Sequence, residues 1–169
     1  MILPEGLETI GDYAFNDTDF STIYIPSTVT SIGKYAFYWA DITELNLPAS
    51  VTTLGDSAFS ACDQLKKVTF NSGVEKIPYH AFERCYALEQ VQLCDGTAVI
   101  GEKAFGECTS LKEIRLPDTV TSIGNYAFTK SAITQIRIPD GVTAIGRYAF
   151  QKCTALEYIA IPDSVTTIE

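Results

Sequence analysis

Apolar and polar residues follow one pattern that repeats every 22 or 23 residues through the whole chain. Its general form is V-x-x-I-G-x-x-A-F-x-x-C-x-x-L-x-x-I-x-I-P, and the shorter units lack one residue before the leucine. The Ala-Phe pair marks the period at Phe15, Phe37, Phe59, Phe82, Phe105, Phe128 and Phe150. A unit of this length cannot bury its apolar face alone and must be covered by its neighbour. The pattern therefore predicts a stack of similar coils.

Each part of the unit predicts a local structure. In L-x-x-I-x-I-P the last two apolar residues share one face of a strand, and proline ends that strand because it lacks an N–H. The glycine predicts a turn with an unusual backbone angle. The spacing of alanine and cysteine predicts a single helical or 3₁₀ turn on the opposite side. Parallel pairing would place the strands of successive coils about 4.8 Å apart.

Seven copies of this pattern, with I-G before Ala-Phe and L-x-x-I-x-I-P after it, resemble the BspA-like class of leucine-rich repeats. The resemblance covers essentially the entire chain. It implies a leucine-rich repeat solenoid: a curved, right-handed stack of 22- to 23-residue coils with a parallel β-sheet on the concave face and short extended or 3₁₀ segments on the other. Family members are mostly surface or secreted proteins of host-associated microbes. Departures at Asn71, Pro78, Cys94 and Thr97 predict local irregularity in the middle coils.

The ends of the chain fall inside the repeat. We expect residues 1–169 to form a single leucine-rich repeat domain of about seven full repeats, cut mid-repeat at both ends, because Pro4 lies in the proline column and Glu169 precedes an expected glycine. Uncapped ends of a solenoid would allow end-to-end self-association. The alternative is a short natural protein with frayed ends. No signal peptide is present, and no apolar run is long enough to predict membrane insertion.

The net charge of −9 is distributed unevenly along the chain. Residues 1–65 contain nine acidic residues and one basic residue, Lys34, whereas residues 66–169 contain twelve acidic and eleven basic residues. This distribution argues against nucleic acid or an anionic membrane as the partner, since both favour a basic surface. It either orients a partner along the axis or serves only solubility.

The five cysteines predict free thiols and no metal site. Cys62, Cys85 and Cys108 share a column that Thr, Ala and Ser fill elsewhere, which indicates a small inward position. Cys94 is expected near a coil edge and is predicted to be the most reactive thiol. The chain has no C-x-x-C pair and a single histidine, His80, so we expect no metal or cofactor. No catalytic motif appears, and we expect no enzymatic activity.

The outward strand residues form the candidate binding site on the predicted concave sheet. The candidates are Tyr24, Glu44, Asn46, Lys67, Gln90, Gln92, Glu113, Arg115, Gln135, Arg137 and Tyr158. Arginine and glutamine suit bidentate hydrogen bonds to carboxylates and amides, which favours a protein ligand such as an extracellular-matrix or cell-surface protein. An ordinary solvated sheet would show the same alternation, so a passive structural spacer remains an alternative. A weaker alternative is carbohydrate binding at a secondary candidate site, Tyr38 and Trp39.

Overall fold

The protein is a parallel β-solenoid of about seven turns. The structure, a computed structural model, describes residues 1–71 and 73–169, and these residues contain no helix. Every strand pairs in parallel with strands of the neighbouring coils. Stacking along one axis is what the 22- to 23-residue period predicts.

Two faces of the stack carry strands. The longer strands, on what we call the strand face, are β3 (Glu44–Leu47), β5 (Lys67–Phe70), β7 (Gln90–Gln92), β10 (Gln135–Arg137) and β12 (Tyr158–Ala160). The shorter strands are β1 (Thr9–Ile10), β2 (Ser31–Ile32), β4 (Thr53–Leu54), β6 (Lys76–Ile77), β8 (Val99–Ile100), β9 (Ser122–Ile123), β11 (Ala144–Ile145) and β13 (Thr167–Ile168). The sheet orders are β3-β5-β7, β10-β12, β1-β2-β4 and β13-β11-β9-β8-β6.

The core is one apolar column inside the coils. In β3, Leu45 and Leu47 are buried while Glu44 and Asn46 are exposed, which confirms the predicted alternation. The seven phenylalanines stack in one ladder with successive ring centroids 5.1–5.8 Å apart. Because each ring packs on rings of the adjacent coils, the burial of one coil depends on the next.

The segment around each Ala-Phe pair, which we call the turn face, consists of consecutive β-turns. The predicted helical or 3₁₀ turn is wrong there. In the second coil, Tyr38 N donates to Tyr35 O over 3.1 Å, and Tyr35 and Trp39 have φ of 54° and 61°. The residues at these two positions have positive φ in each of the seven coils, and this left-handed backbone prevents a helical turn. The turns bond to the next coil instead, as Phe37 N does to Ala58 O over 2.8 Å.

The glycine column serves close packing of the backbone. A Cβ on Gly55 would lie 2.3 Å from Lys34 N, and one on Gly33 would lie 2.5 Å from Asp12 N. Among the described glycines only Gly6 and Gly73 have positive φ, and neither lies in this column. The predicted reason, an unusual backbone angle, is therefore wrong; the column needs glycine because successive coils touch there.

The strand face is interrupted between β7 and β10. Residues 113–116 occupy the register of a strand but belong to none, although Ile114 and Leu116 are buried as in the other coils. This coil follows two of the predicted departures, Cys94 and Thr97. Thr97 is buried and donates its hydroxyl to Val74 O over 3.0 Å, which replaces an apolar contact by a polar one. The interruption agrees with the irregularity that the sequence predicts for the middle coils.

Candidate functional site

The outward residues of the strand face lie in two rows along the stack. Glu44, Lys67 and Gln90 are register partners on β3, β5 and β7, and Asn46, Thr69 and Gln92 are the partners beside them. In the later coils Gln135 pairs with Tyr158, and Arg137 with Ala160. The predicted candidates are all exposed: Tyr24, Glu44, Asn46, Lys67, Gln90, Gln92, Glu113, Arg115, Gln135, Arg137 and Tyr158. The period of the repeat thus brings these side chains onto one surface.

Clefts flank the unpaired segment 113–116 on both sides. One of them, of about 440 Å³, is lined by Glu113, Ile114, Arg115, Leu116, Asp118, Gln135, Ile136, Arg137 and Tyr158. On the other side Arg115 also lines a cleft of about 320 Å³ with Gln92 and Pro117. Arg115 therefore lines clefts on both sides of the segment.

The two arginines of this face differ in their ionic partners. Arg137 donates to the carboxylates of Asp118 and Asp140 over 2.9 and 3.4 Å. Within the part of the chain that the structure describes, Arg115 forms no ion pair. Asp118 and Asp140 are not among the residues that the sequence pattern predicts for the site. Each directly follows a proline of the proline column, and that position could have placed both beside the outward row.

The secondary candidates lie on the turn face, away from the strands. Trp39 is exposed and Tyr38 is half-buried, and their rings stack with centroids 5.9 Å apart. Tyr38 also meets Tyr35 edge to face at 5.7 Å. The structure thus keeps the two candidate surfaces apart on different faces of the coils.

The thiols are free and buried, as predicted. Cys62, Cys85 and Cys108 each donate Sγ–H to the carbonyl of a phenylalanine in the preceding coil, over 3.0–3.2 Å. Burial raises the pKa of the Cys85 and Cys108 thiols well above the usual range. Cys94 is buried as well and contacts Thr97 Oγ1 at 3.3 Å, and this burial does not favour the prediction that Cys94 is the most reactive thiol.

The described residues contain one histidine, which contacts a carboxylate. His80 Nδ1 lies 2.7 Å from Glu83 Oε2 on the turn face, where Lys103 also approaches Glu83 at 3.6 Å. Over residues 1–71 and 73–169, no group of three or more His, Cys, Asp or Glu side chains could hold a metal ion. In the same residues no helix is long and apolar enough to cross a membrane.

A parallel β-solenoid with coils of this length and a ladder of buried phenylalanines defines a leucine-rich repeat protein. The family model of the BspA type leucine rich repeat region, in six copies, matches residues 1–101 and 76–169. The chain therefore belongs to this family, as the sequence pattern indicated. Leucine-rich repeat regions are in general non-catalytic and mediate protein–protein interactions.

Solved structures of bacterial proteins share the fold. A leucine-rich repeat protein from T. pallidum is 28% identical with a TM-score of 0.86, over 95% of this chain and 77% of that one. One from Eubacterium ventriosum is 27% identical with a TM-score of 0.84, over 98% of this chain and 44% of that one. A leucine rich cell surface protein from Faecalibacterium prausnitzii is 27% identical with a TM-score of 0.50, over 94% and 58%. A search of curated proteins finds no match.

Proposed function

We propose that this chain is a non-enzymatic protein-binding module of a cell-surface or secreted protein, and that it binds its partner through the strand face. Membership of a family whose repeats mediate protein–protein interactions supports the class of function. The cell surface description of the Faecalibacterium prausnitzii protein supports the location. The chain spans less than two thirds of that protein and of the Eubacterium ventriosum protein.

The observation that carries the proposal is the state of Arg115. Its guanidinium is exposed beside two clefts and has no ionic partner in the described residues, whereas Arg137 is already held by two carboxylates. An unpaired guanidinium offers its full fork of donors to a ligand. Arg115 is thus the centre of the proposed site.

The rows around Arg115 define the chemistry of the partner. Gln90 and Gln92 lie on β7, and Gln135 on β10, on either side of the unpaired segment. Amide side chains beside a free guanidinium suit carboxylates and peptide amides on a protein surface. We therefore expect a partner protein that presents an acidic or amide-rich patch, and a host extracellular-matrix or cell-surface protein is the class that we propose.

The test measures binding of the chain to immobilised extracellular-matrix and cell-surface proteins. Arg115→Glu removes the free guanidinium, and we expect it to abolish saturable binding to the partner. Lys152→Glu is the matched control, because it makes the same change of charge at an exposed residue of the turn face. It should bind as the parent does.

Arg137→Glu gives a second comparison. Because Asp118 and Asp140 already neutralise this side chain, we expect a smaller loss than for Arg115→Glu. Equal loss in the Lys152→Glu control would show an effect of net charge alone. Absence of binding to any protein would favour a passive spacer and would contradict the proposal.

A further inference from the structure

Four aromatic rings form one continuous patch on the turn face of the N-terminal coils. Tyr13 and Tyr35 stack at 5.0 Å with 11° between their planes, Tyr35 meets Tyr38 edge to face at 5.7 Å, and Tyr38 stacks on Trp39 at 5.9 Å. Tyr13 and Trp39 remain 59% and 57% exposed. We call these four residues the aromatic patch. Rings of this size that stay in water are typical of binding surfaces.

Two tyrosines elsewhere, the exposed Tyr79 and the half-buried Tyr126, already carry a cation from this chain. Lys76 Nζ lies 4.9 Å from the ring centroid of Tyr79, and Lys103 Nζ lies 5.8 Å from that of Tyr126. In the described residues no lysine or arginine lies over a ring of the aromatic patch. The ring faces that these stacks leave uncovered are therefore available to a cation from another molecule.

Two carboxylates beside the patch are unpaired, in contrast with Glu83 and Glu107 on the turn face of later coils. Asp17 occupies the position of Trp39 one coil earlier, and its N–H donates to Tyr38 O over 2.8 Å. Asp41 follows Trp39 by two residues. Neither carboxylate forms an ion pair with any described residue, whereas Glu107 is paired with Lys130 at 2.8 Å.

The nearest basic residue does not change this balance. Lys34 is the single cation of residues 1–65, and its Nζ already lies 3.7 Å from Asp56. Asp63 follows Asp41 one coil later; burial raises the pKa of its carboxyl, and the charge of Asp41 raises it further. The surface beside the patch therefore holds negative charge that no cation of the described residues neutralises.

We infer that the aromatic patch and the carboxylates of Asp17 and Asp41 form a second interaction surface that binds a lysine- or arginine-bearing polypeptide segment. Cations stack on the open ring faces and pair with the neighbouring carboxylates. A neutral sugar could stack on the rings but would form no ion pair with the neighbouring carboxylates. This surface lies on a different face from Arg115 and favours the opposite charge, so it does not depend on the proposed function.

The single tryptophan of the chain, Trp39, makes the test direct, because its fluorescence reports on the patch alone. The probe is a short peptide that alternates lysine and glycine, with a glutamate–glycine peptide as the control. We expect saturable quenching by the lysine peptide only, and weaker binding in about 0.5 M salt because the carboxylates are exposed. Chitohexaose and maltohexaose form a third arm.

Variants locate the binding. Trp39→Ala should weaken binding of the lysine peptide by about two- to fivefold, the effect of one exposed cation–π contact, as measured by calorimetry. Adding Asp17→Asn and Asp41→Asn should weaken this binding further. Tyr148→Ala is the matched control, since Tyr148 occupies the column of Tyr13 and stacks on Tyr126 in the later coils. Trp39 is exposed, so circular dichroism should show an intact fold.

Four outcomes would overturn the inference. One is the absence of saturable binding of the lysine peptide, and another is equal binding of the glutamate peptide. The third is saturable binding of an oligosaccharide without binding of the lysine peptide, which would make the patch a glycan platform. Equal loss in Tyr148→Ala would likewise show that the patch is not the site.

Discussion

The glycine column shows how a single missing Cβ sets the contact between successive coils. At Gly55 the added atom would lie 2.3 Å from Lys34 N and 2.4 Å from Gly33 C, and backbone atoms cannot move aside as side chains do. We expect Gly55→Ala to lower the free energy of unfolding by about 1–3 kcal/mol, the cost of overpacking. Gly11→Ala is the matched control, because nothing lies within 4 Å of its Cβ position. Urea unfolding followed by circular dichroism measures both, and equal losses would contradict this explanation.

The buried thiols predict a pH dependence of stability. Burial raises the pKa of the Cys85 and Cys108 thiols, so the folded state holds these protons at a pH where the unfolded chain releases them. The stabilisation is complete below the unfolded pKa of about 8.5 and is lost as pH rises above it, by up to about 1.4 kcal/mol per pH unit for each thiol. Unfolding free energies of the parent should therefore fall more steeply with alkaline pH than those of a Cys85→Ala, Cys108→Ala variant. If the unfolding free energies of the parent and the variant fell equally with pH, the buried thiols would not be the cause.

At the scale of the element, the turn face imposes left-handed backbone on residues that are not glycine. Lys152 has φ of 58° and is exposed, and it forms no ion pair in the described chain. We expect Lys152→Gly to raise the free energy of unfolding by about 0.5–1 kcal/mol, because the relief of a left-handed side chain exceeds the added entropy of glycine. Lys112 is exposed and lies outside the left-handed region, so we expect Lys112→Gly to lower the free energy of unfolding. Thermal unfolding of both variants measures the two effects, and a loss of stability in both would exclude backbone strain at the turn.

The strands could be predicted from the sequence more fully than the turns. Alternation of Leu45 and Leu47 with exposed neighbours fixes a strand by burial alone, and the period then places every outward side chain in register. The turns depend on positive φ angles, and residue types such as tyrosine and tryptophan, found at Tyr35 and Trp39, do not indicate a positive φ. Likewise the ion pair between Arg137 and Asp118 depends on how far the two side chains extend across a coil boundary. The repeat pattern gives no information on that distance.

Over the whole molecule, the two halves of the stack differ in how they balance charge. On the turn face of the later coils, Glu83 and Glu107 each lie near cations from neighbouring coils. The hydrogen bond from Lys130 is the main cause that lowers the pKa of the Glu107 carboxyl. The first coils keep their negative charge free beside exposed rings. The same repeat thus presents a free guanidinium on one face and an acidic aromatic surface on another.

The stability of the stack depends on continuity of the phenylalanine ladder. Phe82 is fully buried between Phe59 and Phe105, at 5.4 and 5.5 Å, whereas Phe150 is partly exposed and stacks on Phe128 alone among the described residues. We expect Phe82→Ala to cost about 3–5 kcal/mol and Phe150→Ala clearly less. Because coils are stabilised only by their neighbours, a break at the centre should also divide the unfolding transition.

Urea unfolding followed both by Trp39 fluorescence and by circular dichroism tests this directly. Trp39 lies in the coils before Phe82, so its signal reports on the first half of the stack while circular dichroism reports on all of it. The two curves should coincide for the parent and for Phe150→Ala, and they should separate for Phe82→Ala. Coincident curves for Phe82→Ala would mean that contacts beside the ladder, such as the paired strands β3, β5 and β7, suffice to couple the two halves.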